Sequence, residues 1–82
     1  MAEEKRDEIM QEIDPRIAIM REIKMQRIQR HMTQQELSRK TGIIQADISK
    51  LENGQSNPSV RTLMRIAEGL DMTLLIEFIE KH

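Results

Sequence analysis

TQQELSRKTGIIQADISKLENG, residues 33–54, holds two helix-length segments separated by a single glycine. Thr33-Gln34-Gln35-Glu36 has capping-box spacing: the Thr33 hydroxyl accepts from the Glu36 amide, and the Glu36 carboxylate reaches back to the Thr33 amide. A helix therefore starts just after Thr33. It is short, with Leu37 as its core residue. Gly42 ends it, because glycine enters the left-handed conformation without strain. A second short helix is predicted over about Gln45–Asn53. Ile48 and Leu51 face inward, Glu52 lies on the side of Ile48, and Asn53-Gly54 closes the helix. Gln45, Ala46, Ser49 and Lys50 fall on the opposite face.

Upstream, Asp14-Pro15 reads as an N-cap followed by the first helical residue. That helix runs to about Arg30. Ile17, Met20, Ile23 and Ile28 broadly share one face, and Arg27 projects onto it. A cation on an apolar stripe needs a partner, because an unpaired buried charge is very costly. Glu52 is the obvious one, so a partly buried Arg27–Glu52 salt bridge is expected. Residues 2–13 favour helix by composition but carry only Ile9, Met10 and Ile13 as apolar anchors. They read as a short, weakly held acidic helix or arm, residues 1–14.

Downstream, the Gln55–Pro58 loop leads to an amphipathic helix over about Ser59–Leu70, capped by Asn57 or Ser59. Val60, Leu63, Met64, Ala67 and Leu70 follow helical spacing. The segment TLLIEFIE, residues 73–80, alternates Leu74, Ile76 and Phe78 on one face with Leu75 and Ile79 on the other. That suits a strand, but Leu74, Leu75, Phe78 and Ile79 also make a helical stripe, and periodicity does not separate the two.

A chain of 82 residues is one small domain, burying about 60% of the surface its unfolded form exposes. It has no cysteine, so no disulfide staples it, and two histidines alone make no structural zinc site. Dense helix packing, dimerisation or both are the remaining routes to stability. No metal or cofactor is expected. No stretch approaches the roughly 20 apolar residues of a membrane span, and the acidic N-terminus has no apolar signal-peptide core. A cytoplasmic protein is expected, with no membrane partner. No nucleophile–base pair, phosphate-cradling loop or carboxylate dyad stands out, so the chain does not read as an enzyme. Phe78 is the one aromatic residue, too little for base-stacking recognition of single strands.

The net charge of −1 hides an uneven distribution. Residues 1–15 are net −4, residues 16–66 net +6 and residues 67–82 net −3. A basic centre lies between acidic ends, and a polyanion responds to the local field rather than the total.

Two short helices joined at Gly42 within flanking helices form the helix-turn-helix plan. Gln34, just behind the Thr33 cap, has amide dipoles and a side chain suited to a phosphate. Gln45 suits adenine, Lys50 guanine, and Ala46 a thymine methyl. Asp47 sits awkwardly, since DNA repels a carboxylate unless it meets a cytosine amine or turns aside. An ordinary solvated helix face is also polar, so these residues alone leave both readings open.

The run from Thr33 to Ile79 resembles the Xre-type, Cro- and lambda-repressor-like helix-turn-helix family. The matching residues are Thr33-Gln34, Glu36-Leu37-Ser38, Gly42-Ile43-Ile44-Gln45, Ile48-Ser49, Glu52-Asn53-Gly54 and Asn57-Pro58-Ser59, and the likeness covers about residues 23–72. The resemblance implies an all-α, five-helix lambda-repressor-like bundle. It implies that Gln45, Ala46, Ser49 and Lys50 face base edges and that Gln34, Ile44, Asn53, Gln55, Asn57 and Arg61 line the phosphates. It also carries the Arg27–Glu52 pair. Four positions depart from the pattern. Ile44 replaces the usual Ser or Thr cap, Ser38 replaces a packed alanine, and His31 and Asp71 stand where glycine is frequent, which implies left-handed backbone at both. The Asp14-Pro15 start, the Pro-Ser-Val-Arg-Thr-Leu segment and LLIEFI are similar to HigA-type antitoxins. That narrower likeness favours a short C-terminal β-strand over residues 73–82, paired through Leu74, Ile76 and Phe78 across a dimer axis.

The functional expectation is a sequence-specific double-stranded DNA-binding repressor acting as a homodimer on operator DNA, with residues 15–72 as the DNA-binding domain. The alternative is an antitoxin that neutralises a partner toxin and regulates its own operon.

Overall fold

The computed structural model describes residues 14–81 and contains four helices there: α1 (Pro15–Gln29), α2 (Gln34–Thr41), α3 (Gln45–Glu52) and α4 (Val60–Gly69). The expected helix or arm over residues 2–13 lies outside the described residues, so the fifth helix of the sequence expectation is not among these four. None of the four is long and apolar enough to cross a membrane.

Each helix starts where its capping residue dictates. The Asp14 carboxylate accepts from the Arg16 amide at 2.8 Å, with Pro15 in the first turn. The Arg16 guanidinium closes on the same carboxylate at 2.7 Å, and hydrogen bonding to Arg16 holds the Asp14 pKa down at about 2. Thr33 and Glu36 form the predicted capping box, with the Glu36 amide donating to the Thr33 hydroxyl at 3.0 Å. Ser59, rather than Asn57, caps α4 by accepting from the Thr62 amide at 3.1 Å.

After α1 and α4 the left-handed turn position is not a glycine. His31 and Asp71 both take left-handed backbone, with φ of 53° and 59°, as the family resemblance implied. In each case the next amide, Met32 or Met72, bonds back to a carbonyl five residues earlier, Arg27 or Ala67, at 3.1 and 2.8 Å. These are Schellman closures, and the hydrophobic residue that follows the turn locks them from inside. Met32 is buried and Met72 packs against the core.

The core is Ile23, Met32, Leu37, Ile43, Ile48, Leu51, Ile66 and Leu70, with Ile19, Leu63 and Met72 packed on it. Leu37 and Ile48 are fully excluded from solvent. The inward stripe of α1 differs from the expected one. Ile19 joins Ile23, while Ile17 and Ile28 are 41% and 54% exposed. At about 100° per residue, Ile19 and Ile23 share a face, whereas Ile17 and Ile28 are rotated well away from it. In α4 the buried stripe is Leu63, Ile66, Leu70 with Ala67 beside it. Ile66, absent from the expected stripe, is its centre, and this turns Val60 and Met64 outward.

Gly69 lets α4 pack close against α2. A Cβ there would sit 2.5 Å from Thr41 Cγ2 and 3.1 Å from Leu37 Cδ1. Glycine to alanine in a helix is ordinarily stabilising by about 0.5–1 kcal/mol. Here the sign reverses: Gly69→Ala is expected to destabilise by about 1–3 kcal/mol, the usual cost of overpacking. Urea denaturation checks this, and a gain in midpoint would show that α2 and α4 can separate freely.

No strand forms among the described residues: residues 73–81 have no regular secondary structure. The expected C-terminal strand is thus corrected for the single chain. A strand exists through hydrogen bonds to a neighbouring edge, and the described chain offers this segment none. Leu74 is half-buried, while Leu75, Ile76, Phe78 and Ile79 are exposed, Phe78 completely.

Candidate nucleic-acid interface

The turn between α2 and α3 is built from side-chain bonds to backbone. Gly42, at φ 74°, ends α2, and its amide bonds to the Ser38 carbonyl at 2.8 Å. The Thr41 hydroxyl donates to the Leu37 carbonyl at 2.7 Å and accepts from the Ile43 amide at 3.2 Å. The Ser38 hydroxyl donates to the Ile43 carbonyl. From α4, Arg65 donates to the Thr41 carbonyl at 2.6 Å. Buried Ile43 then pins the turn to the core. Sequence reading missed Ser38, Thr41 and Arg65 as parts of this turn. The signal for Ser38 and Thr41 was present, since Ser and Thr commonly bond nearby backbone groups; the contact of Arg65, 24 residues away, had no local signal.

Helix α3 is held from one side. Ile48, Leu51 and Glu52 are buried, and Gln45, Ala46, Asp47 and Lys50 are exposed. Ser49 is half-buried, and the Asn53 amide lies 3.5 Å from its hydroxyl. Ile44, 69% exposed, occupies the N-cap without any side-chain hydrogen bond. The first turn of α3 therefore keeps open amides, and Asp47 there is the acidic group that suits them.

The predicted ion pair holds α3 to α1. Arg27 Nε donates to Glu52 Oε2 at 2.8 Å and Nη2 to Oε1 at 2.9 Å. The Arg27 Nη1 donates to the Met32 carbonyl at 2.8 Å. Hydrogen bonding to Glu52 raises the guanidinium pKa further. Gln34 is not a free phosphate anchor: its Nε2 donates to Glu52 Oε1 at 3.2 Å.

Of the other expected phosphate residues, Ile44 and Asn53 cap the two ends of α3. Ile44 and Asn57 line one open cleft of about 500 Å³, together with Asp47, Ser59 and Arg65. Gln55 is exposed and its amide bonds to the Lys50 carbonyl at 2.9 Å. Arg61 is exposed in the first turn of α4. Leu74, by contrast, belongs to an apolar groove between α1 and α4, lined also by Ile19, Leu63, Ala67 and Met72. Ile76 and Phe78 are exposed and do not line that groove.

Two short helices meeting at a left-handed glycine, the second anchored by one face and bare on the other, define a helix-turn-helix protein. The chain belongs to the Helix-turn-helix family, whose model matches residues 23–76. An uncharacterized HTH-type transcriptional regulator of Haemophilus influenzae is 33% identical over 70 residues, 85% of this chain and 71% of the relative. Antitoxin HipB of Escherichia coli O6:H1 is 39% identical over 54 residues, 66% of this chain and 57% of that protein. These antitoxin relatives are HipB proteins rather than the HigA type of the sequence resemblance. Among solved structures, an HTH_3 family transcriptional regulator from Vibrio cholerae superposes with a TM-score of 0.69 at 29% identity, covering 71% of this chain and 33% of that one. A chain described as MDT Protein gives 0.71 at 30% identity over 84% of this chain and 97% of the other. Family membership is what sets the chain apart from enzymes.

Proposed function

We infer that the chain is a transcriptional repressor that binds double-stranded operator DNA sequence-specifically as a homodimer. One observation carries this: the buried face of α3 is Ile48, Leu51 and Glu52, and its bare face is Gln45, Ala46 and Lys50 with Ser49 at the margin. That bare face has the donors, acceptors and small residue that base edges in a major groove require. Gln34, Ile44, Asn53, Gln55, Asn57 and Arg61 are assigned to phosphates, which fix register. The functional division is residues 1–14 as an acidic arm, 15–72 as the DNA-binding domain and 73–82 as the dimerisation segment. Exposed Ile76 and Phe78, with Leu74, support pairing of two tails. A twofold dimer reads half-sites roughly 34 Å apart. A cytoplasmic site of action follows from a DNA target.

Selection of duplexes from a random-sequence pool, followed by titration of the winning site, tests this. A palindromic site bound far more tightly than scrambled DNA is expected, and sequence-indifferent binding would refute it. With that site, Gln45→Ala or Lys50→Ala should each weaken binding by about 1–3 kcal/mol and relax the preference at one base pair. An equal loss on every sequence would remove these residues from base reading.

The HipB likeness favours a second activity, neutralisation of a partner toxin with autoregulation of the operon. A neighbouring gene product that arrests growth alone, and is silenced by co-expression of this chain, is the expected result. Undiminished arrest excludes it.

A further inference from the structure

Glu52 accepts from two different side chains: twice from Arg27 and once from Gln34, on the same Oε1 atom that Arg27 Nη2 uses. Its side chain is only 2% exposed, so its negative charge is enclosed and neutralised by Arg27. An amide nitrogen carries two protons. Glu52 takes one from Gln34, and the other has no acceptor among the described residues, while Gln34 itself is half-buried at the first position of α2. Glu52 is also the last residue of α3, four residues beyond the fully buried Ile48.

We propose that Glu52 is a positioning residue for the proposed DNA contact: by accepting from Gln34 it fixes which end of that amide is the donor and holds it at a set distance from the base-reading face of α3. The phosphate then meets an immobilised N–H. A free glutamine would have to lose its rotamer freedom and choose between two amide orientations when DNA arrives. The same bond ties the start of α2 to the end of α3, so the phosphate anchor and the base-reading helix move as one unit. This rests on the DNA-binding function inferred above.

The test separates positioning from stability. Arg27→Met/Glu52→Met removes the acceptor and both charges together, leaving net charge unchanged, and replacing a whole buried pair by apolar groups of similar volume is often neutral or stabilising. Four proteins are titrated against the selected duplex: the parent, Gln34→Ala, the paired methionine variant and the combination. The paired variant should bind about five- to tenfold more weakly than the parent, with no further loss when added to Gln34→Ala, and with thermal stability close to the parent. Losses that multiply independently would overturn the role of Glu52 while leaving DNA binding intact. Absence of sequence-specific binding by the parent would instead defeat the functional inference beneath it. If the methionine variant fails to fold, the parent decides the matter by nitrogen relaxation of the Gln34 side-chain amide. An order parameter as high as that of the backbone supports an immobilised donor, and a low one refutes it.

Discussion

Glu52→Ala is expected to cost about 3–5 kcal/mol in folding stability, because it strands the Arg27 guanidinium inside the protein. Arg27 is 12% exposed and keeps only the Met32 carbonyl once both Glu52 oxygens are gone. The pair also spans 25 positions of sequence and joins α1 to α3. In a small domain whose total stability is on the order of 5–10 kcal/mol, such a loss brings the chain near unfolding at growth temperature. Circular-dichroism melting reads it directly. A drop under about 1 kcal/mol would mean that water reaches the guanidinium and the pair behaves as a surface bridge. Replacing both partners with methionine should recover most of the loss, which separates the cost of an orphaned charge from the worth of the pair.

Ile48→Ala has the second large effect, about 2–5 kcal/mol. Ile48 is completely buried and sits at the centre of the anchored face of α3. Truncating it removes apolar burial and leaves a cavity beneath a helix of only eight residues, which has little intrinsic stability of its own. For a domain of this size each kcal/mol lowers Tm by about 4–8 °C. DNA affinity is expected to fall with stability and to recover on cooling, whereas Lys50→Ala should weaken binding with Tm unchanged, since Lys50 is exposed. A melting temperature unaltered by Ile48→Ala would show that α3 is not held by its apolar face.

The element boundaries were legible because local chemistry sets them. Asp14-Pro15, the Thr33/Glu36 box and Gly42 act on backbone groups within a few residues, and the cap of α4 was narrowed to Asn57 or Ser59. The Arg27–Glu52 pair was legible for a different reason: a charge on an apolar stripe must find its opposite, and only Glu52 lay on another inward face. The tilt of each helix against the core was not legible. Ile17, Ile28, Val60 and Met64 all satisfy an amphipathic pattern yet are exposed, while Ile19 and Ile66 took the inward places. A stripe wider than the contact leaves rotation to packing. The roles of Gly69 and Gln34 were hidden in the same way, since one depends on the approach of α2 and α4 and the other on a carboxylate 18 residues away.

Residue order alone therefore dictated where the helices begin and end, where the turn lies and which face of α3 stays polar, because capping, left-handed backbone and side-chain periodicity are local properties. Tertiary structure decided which apolar residues form the core, that a side chain at Gly69 would have to displace Thr41, that Gln34 leans on Glu52 and that residues 73–81 form no strand in a single chain. Those outcomes depend on distances between separate elements, and such distances are set only when the helices pack.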